Sequence, residues 1–326
     1  MATLMALAGA MSCQKELTND FIRENEGETV ALTVSLQGET LITKATGIKE
    51  ANEKKVKKMQ VYVLDSSGAV ESYKSATGES LTLSTTTGSK EIYALVNCPD
   101  YPAIASKTEL LNTVSQFSAN ALDGFEMVGV LKKTITSTDP TEVVPVKRLV
   151  SKVVIGKISA RFTSAAYSSL PFTVKAIYLI NVAGDMNYGV DGTPSVWYNK
   201  SKYESSACDF MLYDGNLNRT VTSTTPYTVE HSFYCYPNPT SGDANGGTWS
   251  ARHTRLVIET TLGQETYYYP ITLPAIDRNK TYCVSELIVT RPGSTDPDVP
   301  VSTSSCTYSV QVEGWNAGLA PYVETI

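Results

Sequence analysis

The chain has 326 residues, 42% of them hydrophobic, enough for a substantial core and for two domains of ordinary size. Only 18% are charged and the net charge is −6, which argues against a nucleic-acid binder with its basic face. Nineteen tyrosines and an abundance of Thr, Ser and Val point to an all-β protein with long strands.

The apolar run from Met1 to Met11 is too short to span a membrane and reads as the h-region of a signal peptide. No Lys or Arg precedes it, which an upstream start codon would explain. The run ends in Ala10, Met11, Ser12 and Cys13, with the small residue ahead of a cysteine that bacterial lipoprotein signals carry. Cys13 is therefore read as a lipidation site. The competing reading is a core thiol, but "QKELTNDFIRENEGE" suits a tether better than a buried position. Cys98, Cys208, Cys235, Cys283 and Cys306 are odd in number, lack metal-ligand spacing, and are expected as free, half-buried thiols in strands.

Strand patterns follow almost without interruption. In "TVALTVSLQ", Val30, Leu32, Val34 and Leu36 alternate with polar or small residues, the signature of a strand with one buried face. "KKMQVYVLDSSGAVESY" alternates at Met59, Val61 and Val63 before a turn at Ser66–Gly68. "SLTLSTTTGSKEIYALVNC" reads as a hairpin around Thr87–Gly88. The one helix signal is a capping box of Ser106 and Glu109 followed by Leu110, Leu111, Val114 and Phe117. The β-branched stretch of residues 143–162 is long enough to pass between domains, and the boundary is placed near Val150. Beyond it, "FTVKAIYLINV", "SFYCYP", "RLVIETTL", "TYYYPITLP", "TYCVSELIVT" and "TYSVQVEGW" are strands, with Gly263–Gln264 turning the third into the fourth. "PNPTSGDANGGTWSARH" and "RPGSTDPDVPVSTSS" read as surface loops. Two β-sandwiches in tandem are the simplest architecture.

Chemistry is sparse. The only histidines, His231 and His253, fall beside loops, and no GxSxG elbow, HExxH or Walker pattern occurs. Trp197, Trp249 and Trp315 are few and scattered for a sugar platform, and Lys54, Lys55, Lys57 and Lys58 read as a solvated flank of the next strand. Neither catalysis nor a cofactor or metal is expected.

Several stretches together resemble one family. "TVALTVSLQGETLITKATGIKEANEKKVKKMQVYVLDSSG" is similar to the amino-terminal region of the Bacteroidales fimbrillins, the FimA and Mfa-like type V pilins. "IYALVNCP", "VKRLVSKVVI" and "YYYPITLPAIDRNKTYCVSELIVTRPGSTDPDVP" resemble that family's middle and carboxy-terminal segments, so the likeness runs from Glu28 to Trp315. The resemblance implies two transthyretin-like β-sandwiches: a signal and tether over residues 1–27, a first sandwich over 28–150 and a second, with a donor-strand tail, over 151–326. It implies an outer-membrane lipoprotein precursor whose mature form lies in an extracellular fimbria. A trypsin-like maturation protease would cut between Lys44 and Ala45, with Lys44 replacing the family's usual Arg and Lys49, Lys54 and Lys55 as fallback sites. The strand carrying Val30, Leu32, Val34 and Leu36 would leave, and a neighbour's tail, with Trp315, Leu319, Val323 and Ile326 as donor residues, would fill the groove.

The physics of these residues favours the same scheme. A sandwich stripped of "VALTVSL" exposes two unpaired edges and an apolar trough, and refilling it recovers roughly 1.5–3 kcal/mol per buried side chain. This is β-augmentation used for polymerisation. Partners would be other copies of the chain and other pilins, the protease, the outer membrane through the lipid, and a host or bacterial surface ligand for adhesion. The alternatives are a surface glycan-binding β-sandwich lipoprotein, which would keep its first strand and present an aromatic platform, and an anchor or tip subunit of the same pilus.

Overall fold

The computed structural model describes residues 27–38, 52–136, 140–240, 242–243 and 251–315. Cys13, Lys44, Ala45, Lys49, Trp249, Leu319, Val323 and Ile326 lie outside the described residues. The fold is all-β, with two sandwiches in tandem.

The amino-terminal sheet contains β1 (Thr29–Gly38), β2 (Lys58–Leu64), β3 (Val70–Thr77), β4 (Ser80–Thr86) and β5 (Gly88–Val96). A short strand outside it, β6 (Val114–Gln116), precedes β7 (Met127–Ile135) and β8 (Thr141–Arg148). The spatial order is β3-β2-β5-β7-β8-β1-β4. The sheet folds over one core, because period-2 alternation puts Val30, Leu32 and Val34 of β1, Leu81 and Leu83 of β4, and Val61 and Ile92 of the opposite layer in a single cluster. Its two outermost strands are joined by a buried polar seal. Glu71 on β3 accepts the Thr85 hydroxyl at 2.9 Å and the Thr86 N–H at 2.5 Å on β4, and forms an ion pair with Lys90 on β5. Burial works against the Glu71 carboxylate, but the hydrogen bonds from Lys90, Thr86 and Thr85 outweigh it and hold it below the usual carboxylate range.

Two local expectations change. Thr87–Gly88 does turn the chain, with Gly88 at φ +119, but β4 and β5 are not a hairpin. β4 pairs with β1, and β5 pairs with β2 and β7. Leu81 and Leu83 meet Ile92 across the core, so the turn links opposite layers. The capping box opens a helix, Lys107–Asn112, in which Ser106 Oγ accepts the Glu109 N–H at 3.3 Å. The Glu109 carboxylate reaches one residue further back than a capping box requires and accepts the Ala105 N–H at 2.7 Å. The helix stops at Asn112, earlier than its apolar stripe suggests. Val114 is exposed on β6, and the buried Phe117 opens a 3₁₀ turn, because β6 pairs with Asp185–Asn187 of the second half. Two further single-turn helices, Ala165–Ser168 and Asp209–Leu212, lie in the second half, where none was expected. Each spans four residues, too short to generate a periodic apolar pattern.

In the second half, Ser151–Ile155 lies between His231–Cys235 and Lys280–Val284, with Val310–Gly314 on the outside. These strands continue as a three-stranded sheet of Ile158–Ala160, Leu287–Val289 and Cys306–Thr307. A second layer is built on Phe172–Ile180, Arg255–Leu262 and Glu265–Thr272. The last two form the expected two-residue hairpin. Gly263 takes φ +64 and Gln264 does not, the pattern of a type II′ turn. The core between the layers extends to Tyr62, Leu64, Tyr93, Leu95 and Phe125, so the outer face of β2 and β5 packs against the second half. Among the described residues five cysteines are free thiols as expected, but four are buried outright rather than half-buried. Cys98 and Cys208 lie outside strands, Cys98 just past β5 and Cys208 at the start of the helix Asp209–Leu212.

Candidate functional site

β1 sits between two strands that the sequence places far from it. It runs antiparallel to β4, from Thr29↔Thr86 to Ser35↔Ser80, and parallel to β8, from Thr33↔Thr141 to Gly38↔Val146. Leu36 N–H donates to Glu79 C=O at 2.9 Å on the β4 side, and Thr33 N–H donates to Pro140 C=O at 2.9 Å on the β8 side. Successive N–H groups therefore serve opposite neighbours. Among the described residues, β4 has no ladder partner other than β1.

The two faces of β1 differ as its alternation requires. Val30, Leu32 and Val34 are buried in the sandwich core and Leu36 is partly buried against it. The outer face carries a short hydroxyl ladder, Thr33 Oγ1 to Thr82 Oγ1 at 3.0 Å and Ser35 Oγ to Ser80 Oγ at 3.1 Å. The three fully buried side chains are worth about 5–9 kcal/mol, and Leu36 adds part of a fourth. That is comparable with the whole stability of a domain, about 5–15 kcal/mol. A vacated slot would thus be costly to leave empty. Any strand that refills it with the same hydrogen bonds must run parallel to β8 and antiparallel to β4.

Trp315, expected among the donor residues, is 3% exposed and packed within its own chain. The strand before it, Val310–Gly314, is paired with Lys280–Val284. The structure therefore brings together the four β1 residues and sets Trp315 apart from them. The positions of β4 and β8 as the walls of the slot had no local signal, since a parallel pair is separated by a long connection.

His231 is buried between Asp214, at 2.6 Å from Nδ1, and the Tyr227 hydroxyl, at 2.7 Å from Nε2. Neither bond goes to a Ser or Cys nucleophile. Lys57 and Lys55 pair with Asp123 at 2.6 and 3.9 Å, and Lys58 pairs with Asp100, so three of the four clustered lysines neutralise carboxylates on neighbouring loops.

A second polar site, unsignalled in the sequence, joins the halves. Glu126 is fully buried and accepts hydrogen bonds from Ser115 and, at 3.2 Å, from the Tyr188 hydroxyl. Tyr236 is tied to the same group through Ser115 at 2.5 Å and Asn120 at 2.8 Å. Burial raises the Glu126 carboxyl from 4.5 to about 7, against the opposing hydrogen bonds. Below pH 4.5 both folded and unfolded chains hold this proton. Between 4.5 and 7 only the folded chain does, so stability from this group falls as pH rises. The span corresponds to about 3 kcal/mol. Urea titrations at pH 4.5 and 7.5 are expected to show Glu126→Gln gaining about that much on the parent as pH rises. A stability difference between the two proteins that is the same at both pH values would contradict the assignment.

No family model and no curated protein matches the sequence. Solved structures do. A candidate cell adhesion protein from Bacteroides eggerthii superposes with TM-score 0.64 at 18% identity, covering 89% of this chain and 97% of that one. A fimbrilin (FimA) from Porphyromonas gingivalis gives TM-score 0.60 at 14% identity, covering 89% of this chain and 99% of that one. The chain has the fold of a fimbrilin. A tip fimbrial protein of Porphyromonas gingivalis, at TM-score 0.56 and 12% identity, shares it over 88% of this chain and 100% of that one. The fimbrilin resemblance seen in the sequence and the fold therefore agree.

Proposed function

We propose that the chain is a structural subunit of a cell-surface fimbria that polymerises by strand exchange and supports adhesion. The observation that carries this reading is the placement of β1: the first strand of the described residues, it lies inside the sheet, buries an apolar face and is the ladder partner of β4. Likeness in fold to fimbrilins and cell adhesion proteins supports it. The precursor travels as an outer-membrane lipoprotein acylated at Cys13. A trypsin-like protease cuts after Lys44, and β1 leaves with the lipid. The tail of another copy then occupies the slot between β4 and β8. The division of the folded chain into sandwiches of residues 28–150 and 151–326 belongs to the same reading. Trp315 is the anchor of the donor tail, and the exchanged residues are those of 316–326.

Two measurements test it. Trypsin-treated protein should lose the β1 fragment and form polymers, and an excess of the peptide "ETVALTVSLQG" should keep it monomeric by reoccupying the slot. Cut protein that retains β1 and stays monomeric would overturn strand exchange. Metabolic labelling with a palmitate analogue should mark the precursor at Cys13, and a Cys13→Ala precursor that still takes up label would remove the lipoprotein step.

A further inference from the structure

Residues 52–57 follow directly on the stretch that holds the proposed cut, and Trp315 directly precedes the proposed donor tail. A single buried carboxylate joins them. Glu53 is 3% exposed, although it lies in a run of charged residues. Its Oε1 accepts Lys152 Nζ at 2.8 Å and the Tyr234 hydroxyl at 2.6 Å, and its Oε2 accepts the indole Nε1–H of Trp315 at 3.2 Å. Its carbonyl accepts Arg148 Nε–H at 2.9 Å. The Trp315 ring stacks on Tyr234 at 5.7 Å and meets the edge of Phe125 at 5.8 Å, with the Arg148 guanidinium 4.4 Å above it. Trp315 N–H also donates to Asn279 C=O at 3.1 Å.

The backbone beyond Glu53 is fixed as well. Asn97, held at φ 58, donates Nδ2–H to Lys55 C=O at 2.9 Å and accepts the Lys57 N–H at 2.8 Å. The side chain of Lys55 reaches solvent, but a protease needs an extended backbone segment drawn into its active site, and here that backbone is bonded on both sides of Lys54.

We infer that a clamp centred on Glu53 ties the start of the mature chain to the base of the carboxy-terminal tail and confines the maturation cut to residues before Asn52. The inference rests on the polymerising-subunit reading and sharpens it. Lys44 and Lys49 remain usable sites, and Lys54 and Lys55 do not. A cut after Lys54 or Lys55 would carry Glu53 away, stranding Lys152 and the indole Nε1–H of Trp315 in a buried site without their acceptor. The clamp also passes any pull on the tail through Trp315 to Arg148, which ends β8, and to Lys152, on the first strand of the second half.

The test is limited trypsin digestion of the soluble full-length precursor, with the new amino termini mapped by mass. Wild-type products should begin at Ala45 or Glu50, and not at Lys55 or Val56. Trp315→Ala, at the far end of the chain, should open Lys54 and Lys55 to cleavage about tenfold faster or more, because local opening sets the rate. Trp315→Phe, which keeps the stacking and removes the bond to Glu53, and Tyr234→Phe should give smaller increases with the circular dichroism unchanged. These two variants cover the case in which Trp315→Ala does not fold. Cleavage of wild-type protein after Lys54 or Lys55 as fast as after Lys44 would overturn the clamp. So would unchanged resistance at Lys54 and Lys55 in a folded Trp315 variant. Polymer formation is not read in this experiment, so a failed strand exchange with the expected cut map would count against the pilin reading alone.

Discussion

A Lys44→Ala/Lys49→Ala precursor is expected to keep β1 attached and to stay monomeric under conditions in which the parent is cut and polymerises, whereas Lys44→Ala alone leaves Lys49 open to the protease. While β1 is covalently attached, it competes for its own slot as an intramolecular strand at an effective concentration of roughly millimolar. A donor tail on another subunit at micromolar concentration is then disfavoured by about a thousandfold. Cutting the connection removes that advantage and makes β1 an exchangeable peptide. Polymer yield should therefore fall by about a hundredfold or more when the cut is blocked, with the fold of the monomer unchanged. Lys49 also lies before Asn52, which is why both lysines are replaced. Lys54→Ala/Lys55→Ala serves as the control and should process normally. Electrophoresis with amino-terminal mass mapping gives the cut, and electron microscopy gives the polymer. Normal polymers built from uncut subunits of the double variant would mean that β1 does not have to leave.

The features that were legible in the sequence are those governed by local periodicity. The alternation of Val30, Leu32, Val34 and Leu36 gave both the strand and its buried face, and Gly263 marked a hairpin because a two-residue turn needs a positive φ there. What could not be read is which strands pair across long separations. Nothing in Thr141–Arg148 announces a parallel partner at Thr29–Gly38, and the turn at Thr87–Gly88 looks the same whether it joins neighbours in one layer or opposite layers.

Buried charge was equally hidden. The loop "RPGSTDPDVPVSTSS" has the composition of a surface loop, yet Asp298 within it is 5% exposed. The cause is Arg255, a wholly buried residue on a central strand, which needs counter-charges and takes Asp298 at 2.7 Å and Asp243 at 2.5 Å. Glu53, which takes Lys152 at 2.8 Å, follows the same rule, whereas Glu126 has only hydroxyl partners and its carboxyl is pushed up instead. Each is an ordinary acidic residue in sequence, and each becomes a site only where the two halves meet around it. Composition reports how many charges a chain has, and tertiary packing decides which of them are taken from water.

Deleting residues 316–326 should separate the two ends of assembly. The truncated chain keeps Trp315 and its bond to Glu53, so it should fold and be cut as the full chain is. It also keeps β4 and β8, so it should still accept a tail from an intact copy. Lacking a tail of its own, it cannot occupy another slot, and each polymer that incorporates it should stop growing in one direction. The tail is an imperfect match to β1. Leu319 and Val323 fall on one face and Tyr322 and Ile326 on the other, and Pro321 removes one N–H from the ladder. The first face would place two large apolar residues where β1 places Val30, Leu32, Val34 and Leu36, recovering roughly half of the burial. Exchange is then driven less by a better strand than by release of the cut β1 and by the lower concentration at which it persists once separated. Mixed with wild-type subunits at increasing ratio, the truncated protein should shorten polymers in proportion to its share, and alone it should form none. Long polymers from the truncated protein alone would show that the donor lies elsewhere in the chain. They would also leave the proposed donor role of the tail without support.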